Sequence, residues 1–338
     1  MKIAVLGLGF MGSTHLKAIR NIAGAELAAV VSSDEGKRNG DLTAIQGNLG
    51  GPGEKMNFSG IARYATVEEA LADPGIEAVD ICLPTDQHAP VALAALRAGK
   101  HVLLEKPMAL DGATAGLLVA EADRCNRTLM TAQVLRFFPS YRTSAELVKS
   151  GKLGAMRSAI LRRRCAAPAW SKWLSDASRS GGGVFDLLIH DVDYALQLFG
   201  MPEAVSASGY EDMARGIDFI LAQFHYPGGA TVIVTGGWHH PKAYPFSMEF
   251  TLVGDAGTLE YSSAGRPLTL YTASGEAEPV TLAEVDGYQA EIEYFVECAS
   301  TGAKPVLCPP EDSAAAVKLA QWMLESRTGN GGKIACRL

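Results

Sequence analysis

Lys106 stands in a Glu105-Lys106-Pro107 turn directly after the apolar run His101–Leu104. Open α/β sheets gather ligands at the C-terminal ends of their strands. A lysine held there can hydrogen-bond a substrate hydroxyl and stabilise a developing alkoxide. Pro107 fixes the turn, and a cis bond is one way for it to do so. The tripeptide alone is a weak signal, because lysine is ordinarily a solvated surface group. Further along, Gly181-Gly182-Gly183 precedes Asp186, His190 and Asp193, at intervals of four and three. On a helix these residues lie along one face. A carboxylate and an imidazole one turn apart can clamp a substrate and move a proton, and histidine's ordinary pKa of about 6.5 suits transfer near neutrality. The competing account is a polar helix face with a satisfied histidine.

A third constellation precedes both. Gly7-Leu8-Gly9-Phe10-Met11-Gly12 follows a strand, Lys2–Leu6, and opens a helix read at Met11–Ile22. That context makes the glycine pattern far more specific than the bare spacing. Gly7 permits the tight turn, Gly9 lets the backbone approach a pyrophosphate, and Gly12 lets the helix pack on the strand. With Phe10 and Met11 in its first turn, the helix N-terminus offers free N–H groups and a positive dipole end to phosphates. About 20 residues beyond such a loop, NAD-selective versions carry Asp or Glu for the ribose 2′-hydroxyl. Here that count reaches Ser32, followed by Ser33, with Lys37 and Arg38 just beyond. Small hydroxyls beside cations suit a 2′-phosphate, and so NADP. Asp34 keeps NAD as the alternative: with the strand two residues longer, it becomes the ribose carboxylate.

The elements that position these residues read as two architectures. Residues 1 to about 130 alternate strands (Lys2–Leu6, Glu26–Val31, Ala78–Leu83, His101–Leu104, Thr128–Gln133) with helices (Met11–Ile22, Val67–Leu71, Pro90–Ala98, Asp111–Asn126), and Gly47 to Gly53 reads as a loop. This rhythm predicts a parallel, doubly wound α/β sheet. Beyond about 150, strands follow one another at Met156–Cys165, Ala204–Tyr210, Phe219–Tyr226, Thr231–Gly236, Met248–Val253 and Leu268–Thr272. Tight turns such as Pro227-Gly228-Gly229 predict a mostly antiparallel sheet. Helices are expected at Val184–Phe199, Tyr288–Thr301 and Glu311–Ser326, and the active site between the two domains.

Together, the Gly7-x-Gly9-x-x-Gly12 loop, Glu105-Lys106-Pro107 and Gly182-Gly183-x-x-Asp186-x-x-x-His190-x-x-Asp193 resemble the Gfo/Idh/MocA oxidoreductases, which include glucose–fructose oxidoreductase and inositol dehydrogenases. The likeness covers essentially the whole chain, in order. It implies a Rossmann dinucleotide-binding domain over 1–132. A substrate-binding and oligomerisation α+β domain over 133–338 follows, with a mostly antiparallel open sheet. It further implies NAD(P)-dependent hydride transfer at a hydroxyl-bearing carbon of a sugar, inositol or related polyol. Lys106, Asp186 and His190 then match the family's catalytic residues. Pro84-Thr85 resembles its Thr-Pro-type cofactor loop with the order changed, and His88 falls where the family often has a histidine. Pro84, Thr85, His88, Glu105 and Lys106 are accordingly expected near the cofactor, a structural role for His88 being the alternative. Gln133 and Arg136 resemble an Asn-x-x-Arg-type segment that touches substrate or nicotinamide. Two other functions share the fold: transient oxidation by a bound cofactor with no net redox (an epimerase or glycosidase-like enzyme), and a non-catalytic dinucleotide-binding sensor.

Trp170, Trp173, Arg164, Trp238, His239, His240 and Tyr244 lie near strand or loop ends. Aromatic faces and polar groups of this kind line sugar sites. Trp173 is taken as a substrate contact, with packing the competing use of each. The 338 residues, 48% hydrophobic, suit two domains. A net charge of −7 argues against a nucleic-acid-binding face. Arg162-Arg163-Arg164 reads as a solvated strand end or an interface, with an anionic ligand as the competing use. Cys82, Cys125, Cys165, Cys298, Cys308 and Cys336 are scattered, so neither a disulfide framework nor a metal site is expected. Met1 leads straight into a strand without an apolar leader, and no apolar run spans a bilayer, which predicts a cytoplasmic protein. The expected partners are a small sugar or polyol and further copies of the chain, as a dimer or tetramer, rather than nucleic acid or membrane.

Overall fold

The computed structural model describes residues 1–47, 53–168 and 173–337. The loop read at Gly47–Gly53 is thus described only at its two ends, and Trp170 lies outside the described residues. The chain divides into two compact units, Met1–Phe137 with Val285–Ala314, and Phe138–Glu284 with Ala315–Leu338.

In the first unit, β1 (Lys2–Leu6), β2 (Glu26–Val31), β3 (Ala62–Tyr64), β4 (Ala78–Ile81), β5 (His101–Leu104) and β6 (Leu129–Thr131) form a parallel sheet among the described residues. Its order is 3-2-1-4-5-6, the doubly wound order of dinucleotide-binding domains. The connecting helices are α1 (Phe10–Ile19), α2 (Glu35–Arg38), α3 (Val67–Ala72), α4 (His88–Arg97) and α5 (Gly112–Cys125). Helices on both faces require strands that are apolar throughout. Ile3, Val5, Val79, Ile81, Val102 and Leu104 are fully buried accordingly. Asp80, buried mid-strand in β4, breaks that rule. Side chains set the helix ends: Asp111 caps α5 by accepting from the Thr114 N–H, and Asn126 closes it in a left-handed conformation.

The second unit contains α6 (Pro139–Lys149), β7 (Met156–Cys165), α7 (Ala177–Ser180), a π-helical turn (Val184–Leu188) and α8 (Ile189–Phe199). The strands β8 (Ala204–Asp212), β9 (Ile217–His225), β10 (Thr231–Trp238), β11 (Ser247–Gly254), β12 (Gly257–Ser262), β13 (Arg266–Thr272), β14 (Ala277–Pro279) and β15 (Ile334–Ala335) complete it. Their order is 14-13-12-11-7-10-9-8-15. β7 and β10 run parallel, and the other described pairs are antiparallel. The expected mostly antiparallel sheet is therefore present, centred on one parallel pair.

Three differences from expectation have physical causes. The helix expected as continuous over Val184–Phe199 opens with a π turn, which inserts a residue into the α repeat. α6 was not expected at all: the side chains it buries include Ser140 and Ser144, whose hydroxyls mask an apolar stripe. Ser144 Oγ lies 2.6 Å from Tyr194 Oη, so the hydroxyl is satisfied inside the core. Finally, α9 (Gly287–Thr301), expected in the second domain, belongs to the first unit, where it packs on α1 and β5. α10 (Pro310–Thr328) follows it.

Candidate active site

The glycine loop has the shape of a phosphate cradle. Gly7 has φ +98°, and a Cβ there would lie 2.5 Å from the Cys82 carbonyl oxygen. A Cβ on Gly12 would meet the Gly7 carbonyl oxygen at 1.9 Å. Both positions are closed to any larger residue. A Cβ on Gly9, by contrast, would meet nothing within 4 Å. The open space therefore lies at the glycine expected to face pyrophosphate. Gly9 also caps α1 without a side-chain hydrogen bond, leaving N–H groups at Phe10 and Met11 in the first turn for an anion. These features fit a dinucleotide.

β2 ends at Val31, so Ser32 is the first residue beyond it. Asp34 is used locally: its carboxylate caps α2 by accepting from the Lys37 N–H at 3.0 Å. The Ser32 hydroxyl accepts from the Asp34 N–H at 3.2 Å. Arg38 folds back, its guanidinium donating to the Ser32 carbonyl at 2.6 Å. A cation is thereby held at the end of β2, with Ser33 and Lys37 in the same short segment.

Lys106 follows β5 and is joined to Pro107 by a cis peptide bond. It is half-buried, while Glu105, Pro107, Met108 and Ala109 around it are buried. Glu105 is turned into the fold. Its Oε2 accepts from the Lys106 N–H at 3.0 Å, and its Oε1 lies 3.3 Å from His15 Nε2. His15 Nδ1 in turn lies 2.9 Å from Asp80 Oδ2. Burial pushes the His15 ring down, but the Asp80 carboxylate more than reverses this, with Cys82 adding to it, and holds the imidazole well above its ordinary value. Burial alone raises the Glu105 carboxyl, yet the bond to His15, with Lys106 nearby, brings it below the usual range.

His88 is a strut, the structural role given as its alternative. Nδ1 lies 2.7 Å from the Pro107 carbonyl oxygen and Nε2 2.8 Å from that of Leu83, so both ring nitrogens serve backbone. Burial leads in lowering its pKa. The ring pins the Pro84-Thr85 turn to the Lys106-Pro107 turn. Arg136 is buried, and its Nη1 donates to the Leu307 carbonyl and Asp312. Gln133 differs from both. It is 1% exposed, and neither its amide oxygen nor its nitrogen has a hydrogen-bond partner among the described residues. A buried amide in that state calls for a ligand or water.

In the second unit, Gly181 and Gly182 both take positive φ, near +76° and +75°. A Cβ on Gly182 would lie 2.6 Å from Asp218 Oδ2. That oxygen accepts from the Gly183 N–H at 2.6 Å, while Oδ1 accepts from Arg327. The anchored turn launches the π-helical segment carrying Asp186. Asp186 and His190 are half-buried, whereas Leu187, Leu188 and Ile189 between them are buried. Asp193 does not share their exposure, as the helical spacing had suggested, but is fully buried. The basic run is also corrected: Arg163 makes a buried ion pair with Asp191 at 2.6 Å, and Arg162 and Arg164 both bond Glu249.

The remaining aromatic candidates pack on one another. Trp238 is 1% exposed and lies under Gly183, which belongs to the core rather than a ligand face. Trp173 is half-buried against the cluster of Cys165, Leu174, Leu187 and Trp238. His240 stacks on Tyr244 with ring centroids 3.7 Å apart, and Arg164 lies over the other ring at 5.5 Å from its centroid. His239 packs against Phe219. Sequence reasoning missed His15 and Asp80; the available signal was a carboxylate inside an otherwise apolar strand.

Comparison with known proteins agrees with this geometry. Residues 1–133 match the family described as "Oxidoreductase family, NAD-binding Rossmann fold", and residues 141–260 match the "GFO/IDH/MocA C-terminal domain". The chain is 30% identical over 321 residues to "Inositol 2-dehydrogenase 2" of Saccharopolyspora erythraea, covering 89% of this chain and 86% of that protein. It is 28% identical over 335 residues to "D-xylose 1-dehydrogenase (NADP(+)) 2" of Haloferax volcanii, covering 96% and 97%. The solved aldose-aldose oxidoreductase from Caulobacter crescentus, complexed with glycerol, superposes with a TM-score of 0.83 at 23% identity over 99% of both chains, a likeness of fold.

Proposed function

The chain belongs to the Gfo/Idh/MocA oxidoreductase family, and from that premise we propose that it passes a hydride between a nicotinamide cofactor and a hydroxyl-bearing carbon of a sugar, inositol or related polyol. One observation carries the assignment of residues. Lys106, Asp186 and His190 are each half-buried polar groups flanked by buried neighbours. Such groups are fixed by their surroundings yet open to a ligand.

Lys106 donates to the reacting hydroxyl oxygen and steadies the alkoxide as it forms. His190 accepts the hydroxyl proton and returns it when a ketone is reduced. Asp186 orients the substrate or His190. Gln133 satisfies its buried amide on the ligand, and Trp173 offers a ring face to it. When bound, the nicotinamide supplies the hydride acceptor. Gly7, Gly9 and Gly12, with the N–H groups of Phe10 and Met11, hold its pyrophosphate.

The cofactor we infer is NADP, bound at Ser32, Ser33, Lys37 and Arg38. Asp34 is committed to capping α2, which supports this over NAD. Arg38→Ala is expected to lower kcat/KM with NADPH about 10- to 100-fold, the value of a hydrogen bond to a charged group. The NADH value should stay within about twofold, since no phosphate is lost. Equal losses with both cofactors would remove Arg38 from the 2′ site.

The six cysteines are free thiols, which suits a reducing cytoplasm. Exposed Ile160, Tyr210 and Leu221 on strands of the second unit support a dimer or tetramer. No helix of the described residues is long and apolar enough to cross a membrane. A panel of sugars, inositols and keto-sugars, assayed with both cofactors by nicotinamide absorbance, tests the function. Net production or consumption of reduced cofactor is expected. Turnover without it would favour transient oxidation, and tight NADPH binding with no turnover would favour a sensor.

A further inference from the structure

Outside the proposed chemistry, Asp80, His15 and Glu105 bring three ionisable side chains together in the interior of the first unit. We propose that His15 is a positioning residue, an imidazolium clamped between Asp80 and Glu105 that fixes the backbone of the Lys106 turn to the helix of the glycine loop. The inference rests on the reading of Lys106 given above.

The contacts form one chain across three elements. Asp80 on β4 holds His15 Nδ1 at 2.9 Å. His15 on α1 places Nε2 3.3 Å from Glu105 Oε1. The other Glu105 oxygen accepts the Lys106 N–H at 3.0 Å. The Glu105 N–H donates to the Ile81 carbonyl, which locks this turn to β4. All three side chains are 7% exposed or less. Nδ1 bonds Asp80, while Nε2 lies 3.3 Å from Glu105 Oε1 without hydrogen-bond geometry, so it is the attraction of two carboxylates flanking the ring, rather than a second hydrogen bond, that favours the doubly protonated form. A neutral ring would set one lone pair against a buried carboxylate. The imidazolium also supplies the positive charge that two buried carboxylates need.

The neighbouring groups are consistent with this state. Cys82 Sγ lies 3.5 Å from both His15 Nδ1 and Asp80 Oδ1, and burial, with Asp80, holds its thiol far up. It therefore stays uncharged. His88 and Lys106 lie on the Glu105 side. From α9, packed on α1, come Tyr288, with its ring centroid 6.4 Å from that of His15, and the buried Glu291. His15, Asp80 and Cys82 also bring three donor atoms within 4.8 Å, as a metal site would. Metal ligation needs a bare ring nitrogen and a thiolate, whereas here Nδ1 is directed at both Asp80 oxygens.

Nitrogen-15 NMR of histidine-labelled full-length protein with NADPH reads the charge directly. Both His15 ring nitrogens should be protonated at about pH 8, well above the ordinary histidine pKa of about 6.5. On the substrate found by the panel, His15→Gln should lower kcat about 100-fold, the cost of a small misplacement of a reacting group. KM should move little, because the Lys106 side chain is still present. Should that variant not fold, Asp80→Asn serves: its His15 should lose the second proton at lower pH than in the parent, and kcat should fall through the same pH range. A neutral His15 near pH 7, unchanged kcat in His15→Gln, or stoichiometric zinc in the purified protein would each overturn the proposal. Full turnover by Lys106→Ala would instead sink the reading of Lys106. The NMR result stands apart from that outcome.

Discussion

His190→Ala is expected to lower kcat by about 10²- to 10⁴-fold, the range for removing a positioned general base. NADPH affinity should change little, because the glycine loop and the Ser32–Arg38 segment belong to the other unit. Lys106→Ala should fall by about 10²- to 10³-fold in kcat, as when one donor to a developing oxyanion is lost. The two losses differ in their pH behaviour. Loss of His190 removes the proton acceptor and with it the limb that its protonation sets in the kcat profile, whereas loss of Lys106 removes a donor to the alkoxide and leaves that limb in place. Steady-state kinetics across pH, beside a fluorescence titration of NADPH, separate these effects. If His190→Ala kept full turnover, the assignment of the proton to His190 would fall. His190 precedes the buried Asp191, so the alanine variant should retain the parent's thermal midpoint to within a few degrees, which the same preparation can check.

The largest effect on stability is expected at Arg163 and Asp191. The pair is 2.6 Å apart, with Asp191 fully buried and Arg163 nearly so. Removing one partner leaves a charge inside the sheet–helix core, a loss of about 3–5 kcal/mol. For a domain of this size each kcal/mol shifts Tm by roughly 2–4 °C. Arg163→Met alone should therefore lower the midpoint by about 10 °C, taking both ranges together. Arg163→Met with Asp191→Leu should recover most of it, since well-packed apolar replacements of a buried pair are often neutral. Calorimetry of the three proteins decides the matter. A double variant as unstable as the single would show that the pair does more than cancel its own charges. Asp191 lies next to His190, so the single variant should lose turnover as well as stability.

Much of the fold was legible because its signals are local. β1, β2, β5 and β7 begin and end at the residues read for them from the sequence, and Asp111 and Asn126 mark the ends of α5 by their own chemistry. The glycine loop could be read because its spacing is local and Gly12 is closed by the Gly7 carbonyl, although the carbonyl that closes Gly7 belongs to the distant Cys82. What escaped depends on residues far apart in sequence. His15 and Asp80 are 65 positions apart, and nothing near either names the other. Arg163 looked like part of a solvated run until β7 and α8 brought it to Asp191, 28 positions on. Arg136 was read by resemblance alone, and its bond to the Leu307 carbonyl, 171 positions on, was not legible from its own segment. The π turn was invisible for another reason. Its one-residue insertion shifts the face on which Asp193 falls without changing any residue type.

The glycine turn ahead of Asp186 has a consequence for biosynthesis. Asp218 grips that turn with one oxygen while Arg327, 109 positions later, holds the other. Chains emerge from the ribosome N-terminus first, at about 5–20 residues per second. Asp186 and His190 are therefore translated long before the arginine that steadies their launching turn. For several seconds the nascent chain carries the helix of the proposed proton acceptor with one of its moorings still unmade. The same holds for the first unit, whose α9 arrives only after the whole second sheet except β15 has been synthesised.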